Sequence, residues 1–374
     1  MNTRDDFDIA VVGGGLVGGA IGYGLARSGL HVALLDEGDI AFRASRGNFG
    51  LIWVQGKGLG LAPYSNWTQL SARRWPELAA LLAADADIDV ALEQPGGFHV
   101  CLSDRELEQR VQTLTRLVAQ PGLEPYPFEV LDHAALAERI PGIGSAVVGG
   151  TYTGLDGHVN ALKLLRALHG GFLKHRGAYL PNTRIASVQR NGEQFVLAAK
   201  NRTLRATKIV LAAGLGNALL APQVGLDAPV RPQRGQILVL ERVRRFLHHP
   251  IATLRQTDEG TVLIGDSQEE AGFDETVGMA VLATLADRAV RAFPALREVR
   301  INRTWAALRV MSPDGFPIYD QSPTQPGAFL VTCHSGVTLA AVHALELPPL
   351  IVAGELGSRL QPFSTERLHV QKAA

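Results

Sequence analysis

A chain of 374 residues is long enough to bury a large core and to divide into two domains. Thirty-six Lys and Arg balance thirty-six Asp and Glu, which excludes nucleic acid and an anionic membrane as favoured partners. Two cysteines, Cys101 and Cys333, cannot build a disulfide framework, a zinc site or an iron–sulfur cluster unaided.

Residues 7–12 are a short apolar run of strand length that ends in a glycine cluster. Gly13, Gly15 and Gly18 follow at the G-x-G-x-x-G spacing, with Gly14, Leu16 and Val17 between them. Val17, Ala20, Ile21, Gly24 and Leu25 recur at helical spacing, and Gly29 stops the helix. Residues 31–35 form a second strand with Asp36 and Glu37 at its end. In such a unit the first glycine makes the turn, the second admits a pyrophosphate, and the third lets helix and strand pack. Unpaired amides and the helix dipole hold the phosphates, and Asp36 would accept from an adenosine ribose. The strand, helix and acid around the motif lift it above a glycine-rich turn and point to a bound dinucleotide.

Downstream, the small polar stretch Ser45, Arg46, Gly47, Asn48, Phe49 and Gly50 can lie along a dinucleotide or be a plain surface loop. Residues 59–84 read as a helix with an apolar face of Trp67, Leu70, Trp75, Leu78 and Leu82. From Ala91, ALEQPGGFHVCLS reads as a strand, followed by an amphipathic helix opened by an Asp104 cap. EVLDHAALAERI reads as a short helix stopped by Pro141. The next stretch is strand, an Asp156-Gly157 turn, then helix, and TRIASVQR with FVLAAK is a hairpin about Asn191-Gly192. Residues 207–213 form a wholly apolar strand, closed by Gly214, that should rejoin a parallel sheet.

Four later stretches resemble the D-amino acid oxidase and glycine oxidase superfamily of flavoenzymes: KIVLAAGLGNALL with PVRPQRGQILVLE, GTVLIGDSQEEAGFD, NRTWAALRVMSPDGFPIYD and FLVTCHSGVTLAAV. The likeness runs in order along nearly the whole chain. ASRGNFGLIWVQGKG and CHSGVTLAA resemble most the catalytic β subunits of heteromeric amine dehydrogenases: opine oxidases, hydrogen cyanide synthase and D-hydroxyproline dehydrogenase. Two departures stand out. Asp36 replaces the commoner Glu, and the W-A-G-L-R-P segment is Trp305-Ala306-Ala307-Leu308-Arg309-Val310 here.

The resemblance implies a mixed α/β protein. A Rossmann-like FAD-binding domain with a parallel sheet would comprise residues 1–85, 146–222 and 305–374. An antiparallel-sheet substrate domain would comprise 86–145 and 223–304. It also implies FAD held noncovalently, because the attaching cysteine of flavinylated relatives would fall where this chain has Val310, Met311 and Ser312. The FAD-binding residues would be Gly13, Gly14, Gly15, Leu16, Val17, Gly18, Asp36, Glu37, Ser45, Arg46, Gly47, Asn48, Ile185, Ala213, Gly214, Gly336, Val337, Thr338 and Leu339.

Arg309 alternates with Arg303, Trp305 and Ala307 on one strand face, and by resemblance it clamps a substrate carboxylate. A planar guanidinium can fork two hydrogen bonds onto that group; a surface arginine is the bland reading. Gly336 to Leu339 should open a helix whose amides face the flavin pyrimidine, where negative charge develops on reduction. His334 reads equally as a pocket residue or a packed turn residue, and Arg255 and Trp53 are further pocket candidates. Cys333 reads as a small buried residue, and His248-His249 is too isolated for a metal site.

The implied reaction passes a hydride from the substrate Cα to flavin N5 and leaves an imine, with no strong protein base required. The expected partners are a small amino-acid-type substrate with a carboxylate, and subunits carrying further redox centres. Two alternatives stand beside this: a stand-alone oxidase using oxygen, and a non-catalytic scaffold of the same fold. No leader or membrane span is visible, so a cytoplasmic protein is expected, with membrane association only through the partners that take its electrons.

Overall fold

The computed structural model describes residues 5–38, 43–265 and 267–370. Its centre is an eight-stranded sheet whose main path runs Ile318–Gln321, Ala328–Thr332, Arg202–Leu211, Asp6–Val12, Val32–Leu35, Ala178–Leu180. The last five of these pair in parallel, and Ile318–Gln321 is antiparallel to its neighbour. Such strands are covered on both sides, which is why they read as continuous apolar runs. Ile9 and Val11 pack with Ile21, Leu25 and Leu339 on one face. Ala10 and Val12 pack with Phe195, Leu197 and Leu211 on the other.

The helices Leu16–Arg27, Ala62–Ala86, Ala161–Lys174 and Ala340–Leu345 pack on one another over the first face. A Cβ on Gly24 would stand 2.1 Å from the Ala344 carbonyl oxygen, so this glycine lets the C-terminal helix lie directly on the first one. That contact sets the helix Ala340–Leu345 against the helix that the glycine turn opens.

A second, antiparallel sheet has the order Leu254–Gln256, Thr261–Ile264, Arg231–Arg242, Ile301–Met311. Leu238, Leu240, Leu254 and Ile264 point into a core with Phe98, Leu282 and Phe293. Alternation turns Ile237, Val239 and Leu263 the other way, against Phe49 and Trp305. This second face looks toward the glycine-turn half of the molecule. A further three-stranded sheet joins Gly97–Cys101, Gly149–Thr153 and Glu129–Asp132.

The mixed α/β architecture with one parallel and one antiparallel layer is present. Several local expectations shift. Gly149–Thr153 pairs with Gly97–Cys101 and Glu129–Asp132, and Ile301–Met311 pairs along its length with Arg231–Arg242. These two strands therefore lie in antiparallel layers, where the expected division gave 149–153 and the second half of 301–311 to the FAD-binding part. Ser103, not Asp104, caps its helix, accepting from the Glu106 amide at 3.3 Å. EVLD is a strand, and Asp132 caps the helix His133–Arg139. The hairpin turn is Gly192-Glu193, because Asn191 still pairs with Gln194. The Asp156-Gly157 turn is absent: Gly154 and Leu155 make the turn, and Gly157–His158 pairs with Leu51–Ile52. Asp156 is wholly buried.

Candidate active site

The glycine turn is a cradle without room for side chains. A Cβ on Gly18 would stand 1.8 Å from the Gly13 carbonyl oxygen, and one on Gly13 2.3 Å from that of Ala212. The turn opens the twelve-residue helix Leu16–Arg27, whose Leu16 amide donates to Ser45 Oγ at 2.9 Å. Asp36 is aimed by two amides: Gly14 N–H donates to Oδ2 at 2.7 Å and Gly38 N–H to Oδ1 at 2.9 Å. His169 Nε2 bonds the Gly14 carbonyl at 2.7 Å and its ring lies tilted against Tyr179, 4.7 Å between centres. An open cradle, a helix N-terminus and an oriented carboxylate fit a dinucleotide's pyrophosphate and ribose.

Glu37 lies at the exposed rim, 3.6 Å from Arg184. Ile185 packs its side chain into the core with Phe7 and Val188, so only its main chain is left to face a ligand. The Ala213 amide donates to Asn217 Oδ1 at 2.9 Å, and Gly214 turns the chain with a φ of 58°.

Ser45 to Gly50 bridge this cradle to the antiparallel sheet. Asn48 Oδ1 accepts from the Gly50 amide at 2.8 Å, and the Gly47 carbonyl accepts from Trp305 Nε1 at 3.3 Å. Arg46, Gly47, Trp305, Ala307, Arg303 and Glu275 line a cleft of about 310 Å³. Arg303 lies over the Trp305 ring, 5.3 Å from its centre.

Arg309 continues the same strand face and crosses Gly235, donating to the Ser267 carbonyl at 2.7 Å. A Cβ at Gly235 would stand 2.5 Å from the Arg309 guanidinium, so this glycine gives the arginine its path. Arg255 differs from the expectation of a pocket residue. Its guanidinium is buried, bonded to the Phe49 carbonyl and 3.2 Å from His158 Nδ1, and burial pulls it down to about 10. It holds the loop that carries Phe49.

The C-terminal turn comes in from the other side. A Cβ on Gly336 would touch Leu16 at 3.5 Å, so this turn abuts the glycine cradle. Residues 336–339 form a turn, and the helix begins at Ala340. Val337 and Leu339 are buried. Thr338 Oγ1 accepts from the Trp53 amide at 3.1 Å, while its carbonyl takes hydrogen bonds from Ser71 and Trp75.

His334 stands beside Lys57 in a second cleft, about 200 Å³, with Tyr64 and Phe316. Lys57 Nζ donates to Ser335 Oγ at 2.5 Å, and that hydroxyl lies 2.9 Å from Tyr64 OH and 3.2 Å from His334 Nε2. Burial, then the charges of Lys57 and Arg309, push the His334 imidazole down to about 3. It is therefore neutral at physiological pH. Burial pushes the Cys333 thiol up to about 12, the state of an inert packed thiol.

Beneath Trp53 lies a polar network that periodicity does not reveal. The Asp156 carboxylate accepts from the Val54 amide at 2.5 Å, the Gln55 amide at 3.3 Å and Gln55 Nε2 at 2.9 Å. Gln55 Oε1 accepts from Thr151 and Arg110 at 2.6 and 2.9 Å. Burial outweighs these bonds and raises Asp156 to about 7. Lys57 carries one sequence signal: it is the sole lysine before Lys163, set between glycines in QGKG.

Among the described residues no group of three or more His, Cys, Asp or Glu could hold a metal ion, and no helix is long and apolar enough to cross a membrane.

Known proteins are similar to this chain in sequence and fold. The chain is 46% identical over 368 residues to an opine oxidase subunit of Agrobacterium tumefaciens (strain Ach5), covering 98% of this chain and 99% of that protein. It is 27% identical to the HcnC subunit of hydrogen cyanide synthase from Pseudomonas aeruginosa, with 98% of each covered. The crystal structure of glycine oxidase from Geobacillus kaustophilus superposes with a TM-score of 0.88 at 24% identity, over 96% of this chain and 98% of that one. The family described as FAD dependent oxidoreductase (DAO) matches residues 8–347. With that model spanning residues 8–347 and a relative 46% identical over nearly its whole length, the chain belongs to this family of FAD-dependent oxidoreductases.

Proposed function

We propose that this protein oxidises the C–N bond of an N-substituted amino acid of the opine type, as the catalytic subunit of a heteromeric dehydrogenase. The observation that carries the reading is Arg309. Its half-buried guanidinium crosses Gly235 on the strand face that carries Trp305 and donates to the Ser267 carbonyl at 2.7 Å. There it would clamp the substrate carboxylate through two charge-assisted bonds, about 1.5–3 kcal/mol each.

FAD, when bound, supplies the two-electron acceptor. Gly13, Gly14, Gly15, Gly18, Asp36 and Ser45 would hold it, with Gly336 to Leu339 closing the site at its other end. The substrate Cα gives up a hydride and its nitrogen a proton, leaving a C=N bond that water splits into an oxo acid and an amine. Neutral His334 adds no cationic charge that would repel an amine. Arg309 and the cleft walls contribute orientation, which is what this chemistry most needs. Noncovalent binding is supported by the placement of both cysteines: Cys101 is buried in the antiparallel half, and Cys333 is held as a packed thiol.

Similarity to proteins named as subunits supports a partner that takes the electrons. The test is anaerobic. The yellow protein is mixed with an opine, D-hydroxyproline, sarcosine and glycine in turn, and bleaching is followed. Fastest bleaching by the opine is expected; preference for glycine would reject the reading. Mixing the reduced protein with air-saturated buffer then separates the second reading, an oxygen-using oxidase. Reoxidation much slower than turnover with an electron-accepting partner is expected, and reoxidation as fast as turnover would favour the oxidase.

A further inference from the structure

We propose that His169 is a positioning residue for the cofactor, which locks the Gly14–Gly15 peptide so that the Gly15 amide faces the pyrophosphate. This rests on the reading of the glycine turn as the FAD cradle. His169 Nε2 lies 2.7 Å from the Gly14 carbonyl oxygen, and a carbonyl can only accept, so the ring donates from Nε2. In a trans peptide the C=O and the N–H of the next residue point opposite ways. Holding the Gly14 carbonyl on a side chain of the helix Ala161–Lys174 therefore turns the Gly15 N–H away from that helix. Among the described residues nothing accepts from the Gly15 amide, which leaves it for a ligand.

The neighbouring peptide is pinned from a different element: the Gly14 N–H donates to Asp36 Oδ2 at 2.7 Å. Gly13, Gly14 and Gly15 are three glycines in a row, the freest backbone a sequence can make, so the turn needs such outside anchors. The ring is also given its place. A Cβ on Gly19 would already touch it at 3.6 Å, and Tyr179 lies against it. Burial pulls the imidazole below its usual range, so it donates as a neutral ring. Without that donor the Gly14–Gly15 peptide can turn over. A cradle competent for about a tenth of the time binds its ligand about tenfold more weakly.

The test equilibrates the holoprotein against graded free FAD, and the bound flavin gives the dissociation constant. His169→Phe keeps a ring against Tyr179 and loses the donor, whereas His169→Gln loses the ring and keeps an N–H near the Nε2 position. His169→Phe should raise the dissociation constant about tenfold, and His169→Gln should recover most of that loss. Wild-type affinity in a folded His169→Phe protein overturns the proposal. So does the reverse order, with His169→Gln the weaker binder, which is what a merely packed ring predicts. Nitrogen NMR of the histidine-labelled wild type needs no variant: His169 should carry its proton on Nε2, and a proton on Nδ1 alone overturns the proposal. Gly15→Val separates the two readings. Full FAD content in that variant rejects the cradle and the proposal with it, whereas loss of FAD there beside wild-type affinity in His169→Phe rejects the role of His169 alone.

Discussion

A Cβ at Gly15 would stand 2.6 Å from Ser45 Oγ, in the gap between the helix N-terminus and the loop that faces it. Gly15→Val puts two further methyl groups into that gap, where a pyrophosphate must pass. The purified Gly15→Val protein is expected to be folded and colourless; a full complement of FAD would show that the phosphates lie elsewhere. Arg309 is a separate case, because its surroundings are built from the opposite half of the molecule. Arg309→Lys keeps the charge and loses the fork. Flavin content should stay at the wild-type level while the substrate concentration for half-maximal bleaching rises roughly ten- to hundredfold, the worth of one charge-assisted bond. An unaltered concentration dependence would move the clamp to another residue. Arg255 is a poor substitute, since its whole side chain is buried against the Phe49 carbonyl and His158.

The segment Leu51 to Lys57 is shaped less by its own sequence than by what lies under it. Asp156 is buried and takes three hydrogen bonds from Val54 and Gln55, so Asp156→Ala removes the acceptor for all three. Unpaired buried donors make this costly, about 2–4 kcal/mol in urea unfolding. A loss under about 1 kcal/mol would mean that water replaces the carboxylate. This network also explains where sequence reading stops. The strand–turn–helix–strand unit is legible because each step follows a local rule: apolar period, glycine spacing, terminal acid. The strand face that carries Arg303, Trp305, Ala307 and Arg309 is legible through alternation. Asp156 misleads because Asp-Gly is a strong turn signal. Its real role depends on amides about a hundred residues away, which no local pattern encodes. Lys57 escapes notice for the same reason: its meaning comes from His334 and Ser335, contributed by the far end of the chain. The boundaries of the antiparallel layers shift because Gly149–Thr153 takes its partners from earlier strands, not from the parallel sheet that follows.

Across the whole molecule, burial sets an acid limit on stability. His99, His158, His334 and His343 are each pushed down to about 3, with burial the first cause in every case. An unfolded histidine titrates near 6.5. Between those values the unfolded chain binds more protons than the folded one, so stability falls as pH falls. Asp156 opposes this. Its carboxyl is raised to about 7, so the folded state holds a proton that the unfolded state releases above about 4, and this contribution is lost as pH rises through 7. Burial also lowers His169 and His249, so the lowered imidazoles outnumber the one raised carboxyl and stability falls on balance as pH drops below about 6.5. Lowered carboxyls such as Glu106, bonded to Arg288, and Asp314, bonded to Arg367, add to the loss only at lower pH. The urea midpoint is therefore expected to be nearly level from pH 8 to 7 and to drop steeply below about 6.5, well before ordinary carboxylates titrate. A midpoint unchanged between pH 7.5 and 5 would mean that the four imidazoles reach water or a proton acceptor in the folded state. His343 is the sharpest check among them. Its Nε2 bonds Tyr319 OH at 2.8 Å and its Nδ1 is buried with no partner among the described residues, so His343→Gln should soften the acid limb without touching the cleft that holds His334.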